Sequence, residues 1–224
     1  MGKLIAVVEG LTEQTFIREV LGPWLWERTG VQLVGSPAGK PGKKGGNSFD
    51  KVRLDIINHL KNPHFSAVTT FFDYYGMSPR WPGRSQSPKL SQSQKPVHVE
   101  ESIRENIAAA YSEELINRFV PYVQMHEFEA LLFSDTTVLP RIMQEQGKKP
   151  LLDAALSDVG SPEEINDSPA SAPSKRILSV FPNFRKTFHG VLTAKEITID
   201  VMMNVCPHFR EWVSKLQLVG QQPT

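Results

Sequence analysis

The chain has 224 residues, 40 % hydrophobic and 22 % charged, ordinary globular values that exclude wholesale disorder. Surface scaling at this length buries about 72 % of what an extended chain exposes, enough for one substantial core without covalent staples. Lys and Arg number 25 against 24 Asp and Glu, a net charge of +1, so any basic surface for an anionic partner must be local.

The chain opens on LIAVVEG (residues 4–10), a continuous apolar run stopped by an acid and a glycine, which reads as a strand buried on both faces of a parallel sheet. The run is too short for a signal-peptide core, and no later run is long enough to span a bilayer; a soluble, cytoplasmic protein without a membrane partner is expected. A helix follows, with Phe16, Val20, Leu21, Trp24 and Leu25 at helical spacing and Gly22-Pro23 positioned to kink or divide it. VQLVGS (31–36) reads as a second strand. The loop at 37–48 carries Lys40, Lys43 and Lys44. FDKVRLDIINHLKN (49–62) is predicted helical, and FSAVTTFFDYYG (65–76), rich in β-branched and aromatic residues, predicts a third strand ending near Asp73. Such alternation marks an α/β fold with a mostly parallel central sheet flanked by helices.

Residues 77–97 form a polar insertion with Arg80, Arg84, Lys89 and Lys95. Segments of this length inside a compact domain are functional or disordered. Next come a predicted helix over 98–117, a strand at RFVPYVQM (118–125), and HEFEALLFSD (126–135). From Pro140 onward the pattern is mostly helical, with a Pro/Ser-rich connector at 161–175. The economical organisation is an α/β core over 1–139 and a helical C-terminal extension over 140–224 packed on it as one domain. The single cysteine, Cys206, excludes an internal disulfide or a Cys-rich zinc site and is expected to pack in the core.

Three acidic stations fall where apolar strands stop: Glu9, Asp73, and Glu127 with Glu129. Ligands of open α/β sheets bind outside the carboxyl ends of the strands, so acids far apart in sequence meet at that edge. Crowded carboxylates repel, and a bound cation relieves the repulsion; all-oxygen donors favour Mg²⁺ or Mn²⁺. The plainer alternatives are that Glu9 is a first-turn helix acid and Asp73 a turn residue. Glu127 and Glu129 share a side if the segment is extended, whereas His126 and Glu129 share one if it is helical, and spacing does not choose between them. A lone His beside an apolar run is ordinarily structural. Trp24, Trp26 and Trp212 read as core or interface, and Trp81, in a basic Pro-Gly loop, as a candidate base-stacking platform.

VEGLTE (8–13) resembles the VEG-x-TE opening of Toprim domains of the OLD-nuclease type. TTFFDYYGMSPRWPG (69–83), VQMHEFEALLFSD (123–135), PSKRI (173–177) and CPHFREWVSKL (206–216) resemble the narrower Toprim-like family catalogued as domain of unknown function 4276. The resemblance implies that Glu9 is the acid after the first strand, a metal ligand or general acid/base. It makes Asp73 the first position of an Asp-x-Asp metal motif whose second position is here Tyr75. Glu129 is implied as the acid of the later motif, able to replace the missing ligand, with Glu127 in reserve. Lys40, Lys43, Lys44, Arg80, Arg84, His126, Lys175 and Lys186 are the candidate phosphate contacts.

The activity so implied is Mg²⁺- or Mn²⁺-dependent phosphodiester hydrolysis on a nucleic acid, in partnership with an ABC- or AAA-type ATPase, a pairing used in phage defence. GKPGKKGG (39–46) is not a phosphate-binding loop, lacking Ser or Thr after its Lys, so the ATPase is expected on a separate polypeptide. The alternative is a non-catalytic binding subunit with a degraded metal site, which Tyr75 favours.

Overall fold

The computed structural model describes residues 2–39, 48–165 and 172–221. Strand β1 (Lys3–Val8) lies at the centre of a five-stranded sheet. It pairs in parallel with β2 (Gln32–Pro37) on one side and with β3 (Ala67–Asp73) on the other. The far edge is β4 (Phe119–Val120) and β5 (Val123–Gln124), which pair in succession along β3, also in parallel. The single strand expected over 118–125 is thus two short ones, because Pro121 has no N–H to offer a ladder. Thr70 bridges the break: its hydroxyl donates to the Tyr122 carbonyl at 2.9 Å and accepts from the Tyr122 N–H at 2.8 Å.

The apolar run of β1 is explained by burial on both faces. Leu4, Ala6 and Val8 pack into one layer, and Ile5 and Val7 into the other. The second layer holds α3 (Phe49–Leu60) through Val52, Ile56, Ile57 and Leu60, and α4 (Gln94–Ala108) through Val99, Ile103 and Ile107. The helix predicted over 98–117 therefore starts earlier, ends at Ala108, and is followed by a separate α5 (Glu113–Asn117). Trp81 belongs to this layer at 2 % exposure, its ring 5.3 Å from Phe49 and 5.1 Å from Phe72. It is a core residue, not a stacking platform; the insertion is folded around it.

The first layer holds α1 (Leu11–Phe16) and α2 (Gly22–Thr29), joined by a wide turn over Ile17–Leu21. A side chain at Gly22 would stand 2.6 Å from the Ile17 carbonyl oxygen and 3.1 Å from that of Leu33, so glycine lets this helix lie against β2. Short helices follow the sheet: α6 (Val138–Ile142), α7 (Lys149–Asp153), α8 (Pro173–Val180), α9 (Val191–Ile197) and α10 (Ile199–Val205). The last, α11 (Pro207–Gln221), is anchored to the sheet. Trp212 donates to Thr69 Oγ1 at 2.8 Å and stacks on Tyr122 at 4.1 Å, and Glu163 caps the Phe209 and His208 N–H groups, both at 2.9 Å. Residues from both ends of the chain share one cluster of buried side chains, which includes Cys206.

Candidate active site

Parallel strands deliver their carboxyl ends to one edge, and the acids stand there. Glu9 follows β1, Asp73 ends β3, and Glu129 lies in the tight helical turn Phe128–Ser134 just after β5. Glu13 joins them from α1. Asp73 is 6 % exposed, Glu13 4 % and Glu129 2 %.

Such a group needs a counter-charge, and Lys186 brings it from the turn Lys186–Gly190. Its Nζ stands 3.0 Å from Asp73 Oδ2, 3.0 Å from Glu129 Oε2 and 3.6 Å from Glu13 Oε1. A contact between the Thr12 and Thr187 hydroxyls, 3.1 Å apart, ties the same turn to α1. Asp73 Oδ1 accepts the Phe128 N–H at 2.8 Å, which docks the turn carrying Glu129 onto β3. Glu9 Oε2 accepts the Asp73 N–H at 3.3 Å, and its carboxylate lies over Gly76. A Cβ there would meet its two oxygens at 2.6 and 2.7 Å.

Among the described residues one ammonium stands among four carboxylates, which leaves these groups short of positive charge. Burial raises the Asp73 pKa well above the ordinary value; Lys186 opposes this, and Glu13, Glu9 and Glu129 add to it. Burial, then Glu13, raises Glu9, and burial raises Glu129 against the pull of Lys186. At Lys186, burial disfavours the ammonium, but Asp73, Glu129 and Glu13 outweigh it and hold the proton well above the usual lysine range.

Glu127 and Glu129 diverge. Glu127 is extended and its Oε2 accepts the Ser174 N–H at 3.0 Å, at the start of α8. It lines a 480 Å³ cavity with Tyr74, Tyr75, Arg84, Pro88, Ala172 and Lys175, the two tyrosines following Asp73 directly in the chain. His126 is fully buried, its ring 5.1 Å from that of Tyr75. Arg80 lines a different hollow, with Ser48 and Asp50. Lys40, Lys43 and Lys44 lie outside the described residues. A larger cavity of 700 Å³, between the first helices and β2 around Arg18 and Trp26, shares no residue with the acids.

Glu13 is the member that sequence reasoning missed. It reads as an ordinary first-turn helix acid, and its one signal is its place four residues after Glu9 in VEGLTE.

In chemistry the donor set fits a divalent cation: carboxylate oxygens are what Mg²⁺ and Mn²⁺ take, and such an ion would offset the burial, and the repulsion added to it, that raise three of these acids. In spacing, the cluster is arranged around the lysine. Among the described residues no three carboxylate, imidazole or thiol groups stand as a metal-holding set.

A family model matches residues 8–217 of this chain. The chain belongs to DUF4276, a domain of unknown function. A comparison with curated proteins gives no match. Among solved structures, the C-terminal region of the Xanthomonas campestris pv. campestris OLD protein is similar at 15 % identity and a TM-score of 0.36, over 95 % of this chain and 96 % of that one. At that distance, the roles in this DUF4276 chain must come from its own residues. No helix among the described residues is long and apolar enough to cross a membrane.

Proposed function

We propose that this DUF4276 protein is a Mg²⁺- or Mn²⁺-dependent nuclease whose site is the carboxylate cluster at the end of the parallel sheet. The observation that carries the reading is the convergence of Glu9, Glu13, Asp73 and Glu129, from four separate segments, around the single Lys186 ammonium. Asp73, Glu129 and Glu13, which stand around Lys186, would have to draw together to hold the ion. When bound, the ion would polarise the phosphate and lower the pKa of a water. Glu9, whose carboxylate reaches this edge over Gly76, would serve either as a further oxygen donor to the ion or as the acceptor of the water's proton. Lys186, whose ammonium stands among these carboxylate oxygens, would share the site with the ion and supply a positive charge beside the phosphate. The sequence resemblance to OLD-type nucleases supports a separate ATPase partner and a role in phage defence, and the lack of a long apolar run in the sequence is consistent with a cytoplasmic setting.

The test is incubation of the purified chain with labelled DNA and RNA in Mg²⁺ or Mn²⁺, beside Glu9→Gln and Asp73→Asn. Metal-dependent cleavage lost in both variants supports the site; cleavage that survives both removes it. Lys186 itself favours a second reading, a binding subunit in which the ammonium has taken over the cation's place and Tyr75 the second Asp position. That reading expects no Mn²⁺ uptake by calorimetry even with nucleic acid present.

A further inference from the structure

The 480 Å³ cavity beside the carboxylates has a lining unlike theirs. Two tyrosines, Tyr74 and Tyr75, and two cations, Arg84 and Lys175, face it with one acid, Glu127. Among the described residues no carboxylate forms an ion pair with Arg84 or Lys175. Counted over the described residues, the lining is net positive where the neighbouring cluster is net negative, which favours an anion in the cavity over one in the cluster. Arg84 is already held in place: its guanidinium lies 3.9 Å from the centre of the Tyr74 ring, with Nε on the Tyr74 carbonyl and Nη1 on the Tyr74 hydroxyl. Ordering it again on a ligand costs little.

We propose that this cavity binds one unpaired nucleotide of a single-stranded nucleic acid, with the base against Tyr75 and the backbone phosphate on Arg84 and Lys175. This rests on the nuclease reading for its position beside a phosphodiester site, and it names the substrate class of that site. Its size lies within the usual range for small-ligand cavities, about 300–1,000 Å³. A base enters such a cavity only when it is out of the stack, because a paired base is held by its complement and its neighbours. Aromatic rings accept any base face, and guanidinium and ammonium groups hold phosphate, so the combination reads strandedness rather than sequence. Tyr75 stands where a second metal-motif acid is expected, so the chain has a ring for a base at that position in place of a carboxylate.

Fluorescence anisotropy with short labelled single-stranded DNA and RNA, and with duplexes of the same sequence, tests this in EDTA, where metal-dependent cleavage is silent. Single strands are expected to bind at least about tenfold more tightly than duplex, and Tyr75→Leu to remove about tenfold of that affinity while Tyr75→Phe retains it. Lys175→Ala is expected to reduce the slope of log affinity against log salt by about one. Duplex binding equal to single-strand binding, or Tyr75→Leu binding as well as Tyr75→Phe, overturns the proposal. Comparing DNA with RNA assigns the sugar. Single-strand binding without Mn²⁺-dependent cleavage keeps the cavity and removes the nuclease; cleavage with duplex preference does the reverse.

Discussion

Lys186 Nζ meets Asp73 Oδ2 at 3.0 Å across 113 residues of sequence. Its partners Glu129 and Asp73 are buried, while a third of the lysine side chain remains exposed. The ammonium thus reaches the acids from the solvent side, along the direction by which a soluble cation would also arrive.

Lys186→Met is accordingly expected to destabilise the chain by about 2–3 kcal/mol, below the usual cost of breaking a fully buried pair because part of the site is wet. Urea unfolding with and without Mn²⁺ measures it. The variant should recover more stability from Mn²⁺ than the wild type does, and equal gains in the two proteins would show that lysine and ion do not share a position.

A second expectation concerns pH. Glu9, Asp73 and Glu129 all hold protons more tightly folded than unfolded. In the window that opens at the ordinary carboxylate value of about 4, the folded chain then binds more protons than the unfolded one. The stability these groups contribute is full below that value and is lost as pH rises through the raised ones. Denaturant midpoints for wild type and Asp73→Asn across this window give the difference due to Asp73. Wild-type stability should fall relative to the variant as pH rises; a relative gain contradicts the assignment.

Gly76→Ala should act on the site more than on the fold, at a moderate cost in stability. Its methyl would displace the Glu9 carboxylate, which stands 2.6–2.7 Å from the new carbon. Metal-dependent cleavage is expected to drop at least about tenfold, with a stability cost of about 1–3 kcal/mol. Gly147→Ala, where a methyl meets nothing within 4 Å, is the control and should leave both unchanged. Parallel thermal melts and cleavage rates decide it.

Thr70→Val preserves shape and removes the hydroxyl that spans the break at Pro121. The Tyr122 N–H and carbonyl then lose their partner inside the sheet, at a cost of about 2 kcal/mol. Hydrogen exchange should show the loss concentrated at residues 119–124. An unchanged exchange pattern would mean that the short edge strands hold without Thr70.

The strands that place the acids were legible because burial on both faces leaves a plain mark: LIAVV in β1 has no polar residue, and AVTTFF in β3 has only its two β-branched threonines. The edge was harder to read, since a proline and two threonine hydroxyls replace ladder bonds there and sequence does not show which side chain substitutes for which. Glu9, Asp73 and Glu129 could be picked out because each follows a strand. Glu13 and the central position of Lys186 could not, because each depends on the other: the acid is buried where the lysine reaches it, and the lysine comes from a turn whose docking is set by contacts across most of the chain. Trp81 misled for the opposite reason, its polar neighbours in sequence hiding the apolar neighbours it finds in space.

The late arrival of Lys186 also bears on how the protein is made. A ribosome-bound chain that has emerged only as far as Phe133 already carries Glu9, Glu13, Asp73 and Glu129 but not their counter-ion, so mutual repulsion opposes closure of that end of the sheet. The cluster gains this counter-charge only once residue 186 has been made, and a product that stops before it is left without Lys186.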